Sequence, residues 1–254
     1  MKSKPKILLF DIETTPHLSF TWGKYDQTVV GFVKHSHMLS FSAKWLNGAQ
    51  ITRGLIDYPG YSTNRHNDYL LVMDLWHLLD ESDIAVAHNG RAFDTKKVNA
   101  RFSFHHIAPP SPYKIVDTKE MSKKYFNFTS NSLDDISQYL GIGKKLPTQG
   151  FDLWVDCMAG DPKAWAKMKR YNAHDVVLLE AIYLHMLPWM ERHPNISSFI
   201  EGTVCPKCGS TKLHSRGETR TQSTIYRQFQ CQDCGGWGRE VKTQRRLTGI
   251  VKSI

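Results

Sequence analysis

The stretch Lys6-Ile7-Leu8-Leu9-Phe10-Asp11-Ile12-Glu13-Thr14-Thr15-Pro16 runs apolar from Ile7 and then turns abruptly acidic. Read as a strand, it is buried for most of its length, and Asp11 and Glu13, two positions apart, project from one face. A strand this apolar belongs inside a sheet, where an unpaired carboxylate costs several kcal/mol. Two carboxylates on one face also repel each other. The pair therefore reads either as half of a cation site or as an edge where Pro16 turns the chain out into water. Acids elsewhere in the chain decide between the two.

The chain has 254 residues, 41% of them hydrophobic, which is enough for one large domain and a small appendage. No stretch approaches the ~20 apolar residues of a membrane span, and Ile7 to Phe10 is too short for a signal-peptide core. The expectation is a cytoplasmic protein with no membrane partner. The formal charge of +9 is uneven, since residues 201–254 carry 10 Lys/Arg against 4 Asp/Glu. A basic terminal segment points to a polyanionic partner, or serves solubility alone.

Residues 16–38 hold Phe20, Trp22, Tyr25, Phe32, His35 and His37 with neither helical nor alternating period. They read as a long loop whose aromatics either stack bases or pin the loop itself. Strands over 39–46 and 50–56 are joined at Asn47-Gly48-Ala49 as a hairpin. Leu70, Leu71, Leu75, Leu78 and Leu79 recur at helical spacing over 67–79. Ile84-Ala85-Val86-Ala87 is a second buried strand, and it runs through the Asn89-Gly90 turn to Asp94. That acid opens a helix toward Phe104 and on its own reads as a cap. Residues 113–116 form a third core strand ending at Asp117. Ser132 caps a helix that stops at Gly141. Lys144-Lys145 then either hold a phosphate or form a solvated basic turn.

Residues 164–187 form a long helix containing Tyr171-Asn172-Ala173-His174-Asp175. Tyr171 and Asp175, four apart, share one face, whereas His174 points roughly a quarter-turn away and reads as structural or surface. Acids thus sit at the ends of three separate elements. Strands alternating with helices imply an α/β sheet, and such sheets gather sites at strand ends. Asp11, Glu13, Asp94 and Asp175 together would make a hard-oxygen cage suited to two Mg²⁺ or Mn²⁺ ions rather than to zinc. Such a pair activates water and clamps a scissile phosphate, and the Tyr171 hydroxyl could orient the water.

Asp11-Ile-Glu13, Asn89-x-x-x-Phe93-Asp94 and Tyr171-x-x-x-Asp175 resemble the three exonuclease motifs of the DEDD superfamily in its tyrosine-bearing branch. That branch includes the proofreading exonucleases of family-B DNA polymerases and ribonuclease D. The histidine branch would place His five positions before Asp175, where Arg170 stands instead. The resemblance spans about residues 6–187. It implies a ribonuclease H-like mixed sheet flanked by helices and a two-metal 3′→5′ exonuclease. It further implies Asp11, Glu13, Asp94 and Asp175 as metal ligands, Tyr171 as the water-positioning residue, and Asn89 and Phe93 as substrate contacts. The run Trp22-Gly23-Lys24-Tyr25-Asp26-Gln27 also resembles stand-alone exonucleases of bacteriophages, which would put the protein in a host cytoplasm. Single-stranded DNA or a primer terminus is the expected substrate, with RNA as an alternative. A non-catalytic nucleic-acid-binding or docking protein of the same fold is the other class.

Four of the five cysteines form Cys205-x-x-Cys208 and Cys231-x-x-Cys234. Each second cysteine is followed by glycine, which lets backbone amides turn toward the sulfurs. Four thiolates at this spacing suit a structural Zn²⁺, and two disulfides are the competing reading. A short segment with few core residues needs such a staple. The division expected is an exonuclease domain over 1–190, a linker over 191–202, and a zinc ribbon with a basic tail over 203–254. Tyr226, Phe229 and Trp237, interleaved with Lys and Arg, suggest that the ribbon assists nucleic-acid binding. The alternative is docking onto a polymerase or another replication protein. Cys157 is left as a free thiol.

Overall fold

β1 (Ile7–Thr14) is the middle strand of a five-stranded sheet, which explains why Leu8, Leu9 and Phe10 are all fully buried. The computed structural model describes residues 4–23, 25, 28–246 and 248. After β1 come β2 (Leu18–Phe20), β3 (Gly31–Lys34), β4 (Met38–Trp45) and β5 (Gln50–Gly54), then α1 (Tyr69–Glu81) and β6 (Ile84–Ala87). α2 (Asp94–Phe104), β7 (Lys114–Asp117), α3 (Thr118–Tyr125), α4 (Leu133–Tyr139), α5 (Asp152–Ala159) and α6 (Pro162–Met186) follow. β8 (Leu213–Arg220), β9 (Thr224–Cys231), β10 (Trp237–Arg239) and β11 (Arg245–Arg246) complete the described chain.

The main sheet has the order β5-β4-β1-β6-β7. β4 runs antiparallel to both β1 and β5, while β1, β6 and β7 are parallel to one another. It is therefore the mixed sheet, flanked by helices, that the three-motif resemblance implies. Leu8, Phe10 and Ile12 share one face of β1 and join a core with Leu71, Leu75 and Leu79 of α1 and Val98 and Phe102 of α2. Asp11 and Glu13 face the other way. Gly54 ends β5 where any side chain would collide, because a Cβ there would lie 2.7 Å from the Trp165 ring. Lys6 to Ile182 form one compact unit, and the residues from Tyr183 onward belong to a second.

The structure corrects the loop expected over 16–38. β2 and β3 pair there as a short antiparallel hairpin, with a register shift after Leu18. Strands of three and four residues are too short for their alternation to show. Trp22 and Tyr25 are exposed at its tip. Lys24, Asp26 and Gln27, half of the phage-like run, lie outside the described residues, as do Leu247 and 249–254 of the basic tail. Two helices went unforeseen, α3 and α5. α3 is polar, and its start is fixed by Asp117, whose carboxylate accepts the Lys119 and Glu120 amides.

Within the second unit, β9 pairs with β8, β10 and β11 in a small antiparallel sheet. Among the described residues no helix is long and apolar enough to cross a membrane.

Candidate active site

Asp11, Glu13 and Asp175 each offer a carboxylate oxygen, and these oxygens lie within 4.8 Å of one another. The first two come from the polar face of β1 and the third from α6, 162 residues after Glu13 in the chain. What brings α6 to β1 is a row of polar contacts. Asn172 is fully buried, and its amide nitrogen donates to Asp11 Oδ2 at 2.6 Å while its oxygen accepts from Ser40 Oγ at 3.2 Å. Gln50 donates to the Ala173 carbonyl at 2.7 Å, and Lys44 pairs with Glu180 at 2.5 Å. One helix turn beyond Asn172, Asp175 is thereby set against β1.

Asp94 does not join the other three directly. It is buried at the first turn of α2, where its Oδ1 accepts the Ile12 amide at 3.2 Å. It caps nothing, since Phe93 occupies the N-cap position without a side-chain bond. Its charge is still close enough to Asp11 to raise the latter's pKa.

All four acids titrate high. Burial, and then the charges of Asp94, Glu13 and Asp175, raise the Asp11 pKa well above the carboxylate range. Burial pushes Glu13 up to about 8 and Asp94 up to about 7. Burial also raises Asp175, against the pull of Lys145. Buried acids that crowd Asp11 and Glu13 in this way leave a site short of positive charge. Asp175 Oδ1 is buried without a hydrogen-bond partner. Hard carboxylate oxygens, this crowding and that orphaned oxygen fit a divalent cation of the Mg²⁺ or Mn²⁺ type.

Lys145 supplies part of the missing charge. Its ammonium donates to Asp175 Oδ2 at 2.6 Å and to the Tyr171 hydroxyl at 2.8 Å, and lies 5.0 Å from the centre of the Tyr171 ring. Burial opposes the Lys145 charge, but the Asp175 carboxylate outweighs it and raises the pKa above the usual lysine value. Burial likewise raises Tyr171 to about 12, so it stays a phenol at neutral pH. Of the two readings of Lys144-Lys145, the solvated turn is set aside for Lys145. His174 holds that turn in place, its Nε2–H donating to the Lys144 carbonyl at 2.9 Å. Trp154 hydrogen-bonds Glu13 and packs edge-on against Tyr171 at 6.3 Å.

Asn89 and Phe93 lie on one tight turn that leads into Asp94. Asn89 has φ of 69°, a left-handed conformation that asparagine tolerates. Its carbonyl accepts the Ala92 and Phe93 amides at 3.2 and 2.9 Å. Buried Asp117 clamps the turn from β7 by accepting the Asn89 and Arg91 amides, both at 3.0 Å. Phe93 is partly exposed, with the Lys97 ammonium 5.8 Å from its ring centre. Sequence reading missed Asn172 and Asp117 as parts of this site. The spacing of Asn172 three before Asp175 was the available signal for the first; Asp117, a strand-end acid, gave none that distinguishes it from a cap.

The four paired cysteines form a separate cluster. Cys205 and Cys234 sulfurs lie 3.7 Å apart, and those of Cys208 and Cys231 3.6 Å. A tetrahedral zinc with Zn–S bonds of ~2.3 Å requires edges of ~3.8 Å, so the spacing fits Zn²⁺. It excludes disulfides, whose sulfurs sit ~2.05 Å apart. Gly209 and Gly235, both with φ near 75°, turn the chain after each knuckle (φ 74° and 75°), and the Lys207 and Gly236 amides face the Cys205 and Cys234 sulfurs at 3.5 and 3.4 Å.

A family model described as the RNase_H superfamily matches residues 8–187. Among solved structures, the chain is similar to a family B DNA polymerase from the hyperthermophilic archaeon Pyrobaculum calidifontis, with a TM-score of 0.54 and 16% identity. The match covers 74% of this chain but only 25% of the polymerase, and at that identity it speaks to fold alone. No curated protein sequence matches the chain closely.

Proposed function

Because the chain belongs to the RNase H superfamily, we propose that it is a metal-dependent 3′→5′ exonuclease acting on single-stranded DNA ends. The observation that carries this reading is the convergence of Asp11, Glu13 and Asp175 oxygens within 4.8 Å on a nuclease-type fold. Asp11, Glu13, Asp94 and Asp175 would hold two Mg²⁺ or Mn²⁺ ions, whose chemistry when bound is Lewis-acid activation of water and of the scissile phosphate. The Tyr171 hydroxyl orients the attacking water, and as a phenol it can both donate and accept a hydrogen bond. Lys145, already at the Tyr171 oxygen, places an ammonium where the phosphate charge would grow. Asn89 and Phe93 position the terminal nucleotide, the first by hydrogen bonding and the second by stacking. The zinc ribbon assists by binding the strand. The three-motif resemblance and the likeness to part of a polymerase are what support the tyrosine branch and a proofreading type of reaction.

The test uses end-labelled single-stranded DNA and RNA of one sequence, incubated with Mg²⁺, Mn²⁺ or EDTA and resolved on a gel. A 5′-labelled DNA shortening to a ladder with metal and staying intact in EDTA is expected. Preferential loss of the RNA would move the substrate to RNA, and no shortening with either metal would remove the exonuclease reading.

A further inference from the structure

The small sheet of the second unit keeps its carboxylates off one of its faces. Directly opposed residues of antiparallel strands lie on the same side. Trp237 opposes Gln230, Arg239 opposes Gln228 and Arg246 opposes Thr224. Alternation along β9 puts these three on the face of Tyr226. The Arg239 guanidinium carbon lies over the Tyr226 ring, 3.7 Å from its centre. Arg216 comes to the same face, its Nε and Nη2 donating to Gln230 Oε1 at 3.2 and 3.0 Å.

The acids of this sheet are elsewhere. Glu218 opposes Arg227 on the other face, and Glu240, one residue on from Arg239, reaches the Arg227 guanidinium at 3.8 Å. Asp233 sits at the second knuckle, bonded to Ser210 and Lys212. Phe229, expected among the interleaved aromatics, opposes Gly238 and so lies on the face of Arg227 rather than with Trp237 and Tyr226. One face is thus aromatic and cationic, with no carboxylate among the described residues. On the other, Glu218 and Glu240 balance Arg227, while Arg220 and Arg245 oppose Ile225.

We propose that the Trp237–Tyr226–Arg239 face is a binding surface for single-stranded nucleic acid, which deepens the nuclease reading and takes its substrate class from it. Trp237, half exposed, offers a plate for an unpaired base. Tyr226 holds the Arg239 guanidinium planar and aimed outward, as a fork for phosphate or a second stacking plane. Arg246 and Arg216 extend the positive track for the backbone. A duplex keeps its bases stacked on each other, so only its phosphates meet this face. The surface therefore prefers unpaired strands, and it does so without reading sequence.

The test is fluorescence anisotropy of the full chain, without added Mg²⁺ or Mn²⁺, on a 20-nucleotide oligo(dT) and on a duplex of equal length. Zinc content per chain verifies that each variant keeps its knuckle. Trp237→Ala is expected to weaken oligo(dT) binding about tenfold and to leave duplex affinity unchanged. Arg239→Gln should weaken both and lower the salt slope on oligo(dT) by ~0.7. Arg227→Gln removes the same charge from the opposite face and should change neither. Equal weakening by Arg227→Gln and Arg239→Gln, or wild-type binding by Trp237→Ala, overturns the proposal. So does negligible, salt-independent binding by the wild type, which would favour a protein as the occupant. Hydrolysis of the nitrophenyl ester of thymidine 5′-phosphate, one nucleotide long, is read in parallel with Mn²⁺. An inert ester together with face-specific loss of oligo(dT) binding would sink the exonuclease reading and leave the surface standing.

Discussion

Asn172 and Asp11 are joined across 161 positions of sequence by a 2.6 Å hydrogen bond from amide to carboxylate. Neither group reaches solvent freely, and Ser40 completes the amide's bonding from β4. This bond orients a carboxylate that would otherwise recoil from Glu13. Asn172→Ala should lower stability by about 1–3 kcal/mol, the cost of leaving buried polar partners unsatisfied. It should also weaken Mn²⁺ affinity by roughly 10–100-fold, as loss of a ligand's hydrogen-bond partner does. Denaturant melts and metal titration check the two separately. Unchanged metal affinity would mean Asp11 needs no such support.

Asp11→Asn should have opposite effects on turnover and on stability. It removes one of four crowded acids while keeping an oxygen for the Asn172 amide, so metal-dependent cleavage should vanish. The metal-free variant should be stabilised by about 1 kcal/mol, a rise of ~2–4 °C in Tm. Gel assays with Mn²⁺ read the first, and calorimetry in metal-free buffer reads the second. Undiminished cleavage would refute the catalytic assignment.

Lys145→Met tests the counter-charge. With Asp175 buried and its lysine gone, the metal-free protein should lose about 1–3 kcal/mol. Saturating Mn²⁺ should recover most of that loss, because the ions become the balancing charge. Melting both proteins with and without Mn²⁺ measures it, and a deficit that Mn²⁺ leaves untouched would argue that Lys145 is merely packed there. Tyr171→Phe, by contrast, should slow hydrolysis by ~10–100-fold with oligonucleotide affinity kept.

His88 makes the fold acid-sensitive. Its ring bonds Thr118 Oγ1 and the Asn131 carbonyl, and burial lowers its pKa from 6.5 to about 4. The unfolded chain takes up this proton first as pH falls. The stability contributed by the neutral ring is complete above pH 6.5 and is lost progressively toward pH 4. The loss amounts to on the order of 3 kcal/mol. The stability gap between wild type and His88→Gln should therefore shrink over that window, as followed by urea melts at stepped pH. A gap independent of pH would show that the ring titrates normally.

Cys208→Ser should release zinc and unfold the small sheet, since a cluster with three thiolates no longer closes the tetrahedron. Metal content by mass spectrometry should fall from one zinc per chain to none. Retention of a full equivalent would contradict the four-sulfur site.

Much of this architecture was legible because the strong signals were local. The β1 run, the Ile84–Ala87 strand and the Cys-x-x-Cys pairs are each short patterns with one dominant physical cause. Tyr171 and Asp175 declared a shared face through helical spacing alone. Lys145 was visible only as a basic pair with two readings, because its role depends on His174 and Asp175 from a helix 30 residues later. Asn172, three before Asp175, carried a spacing signal, but its bonds to Asp11 and Ser40 depend on segments more than a hundred residues away. Asp94 shows the converse. Its position at a helix start was readable, but its bond to the Ile12 amide depends on how α2 crosses β1. The β2–β3 hairpin escaped because its strands are shorter than any window that could show alternation.

The long helix α6 seals the interior with Trp165 and Met168 and, a turn later, presents Tyr171, Asn172 and Asp175 to the carboxylates. Anchoring and chemistry thus ride on one rigid rod. A substitution that rotates or slides that rod by a fraction of a turn misaligns the acids even when no acid is touched. Trp165 and Met168 share one core with Leu71 and Leu75 of α1, so repacking around α1 in pursuit of heat resistance also reaches the acids, through the rod.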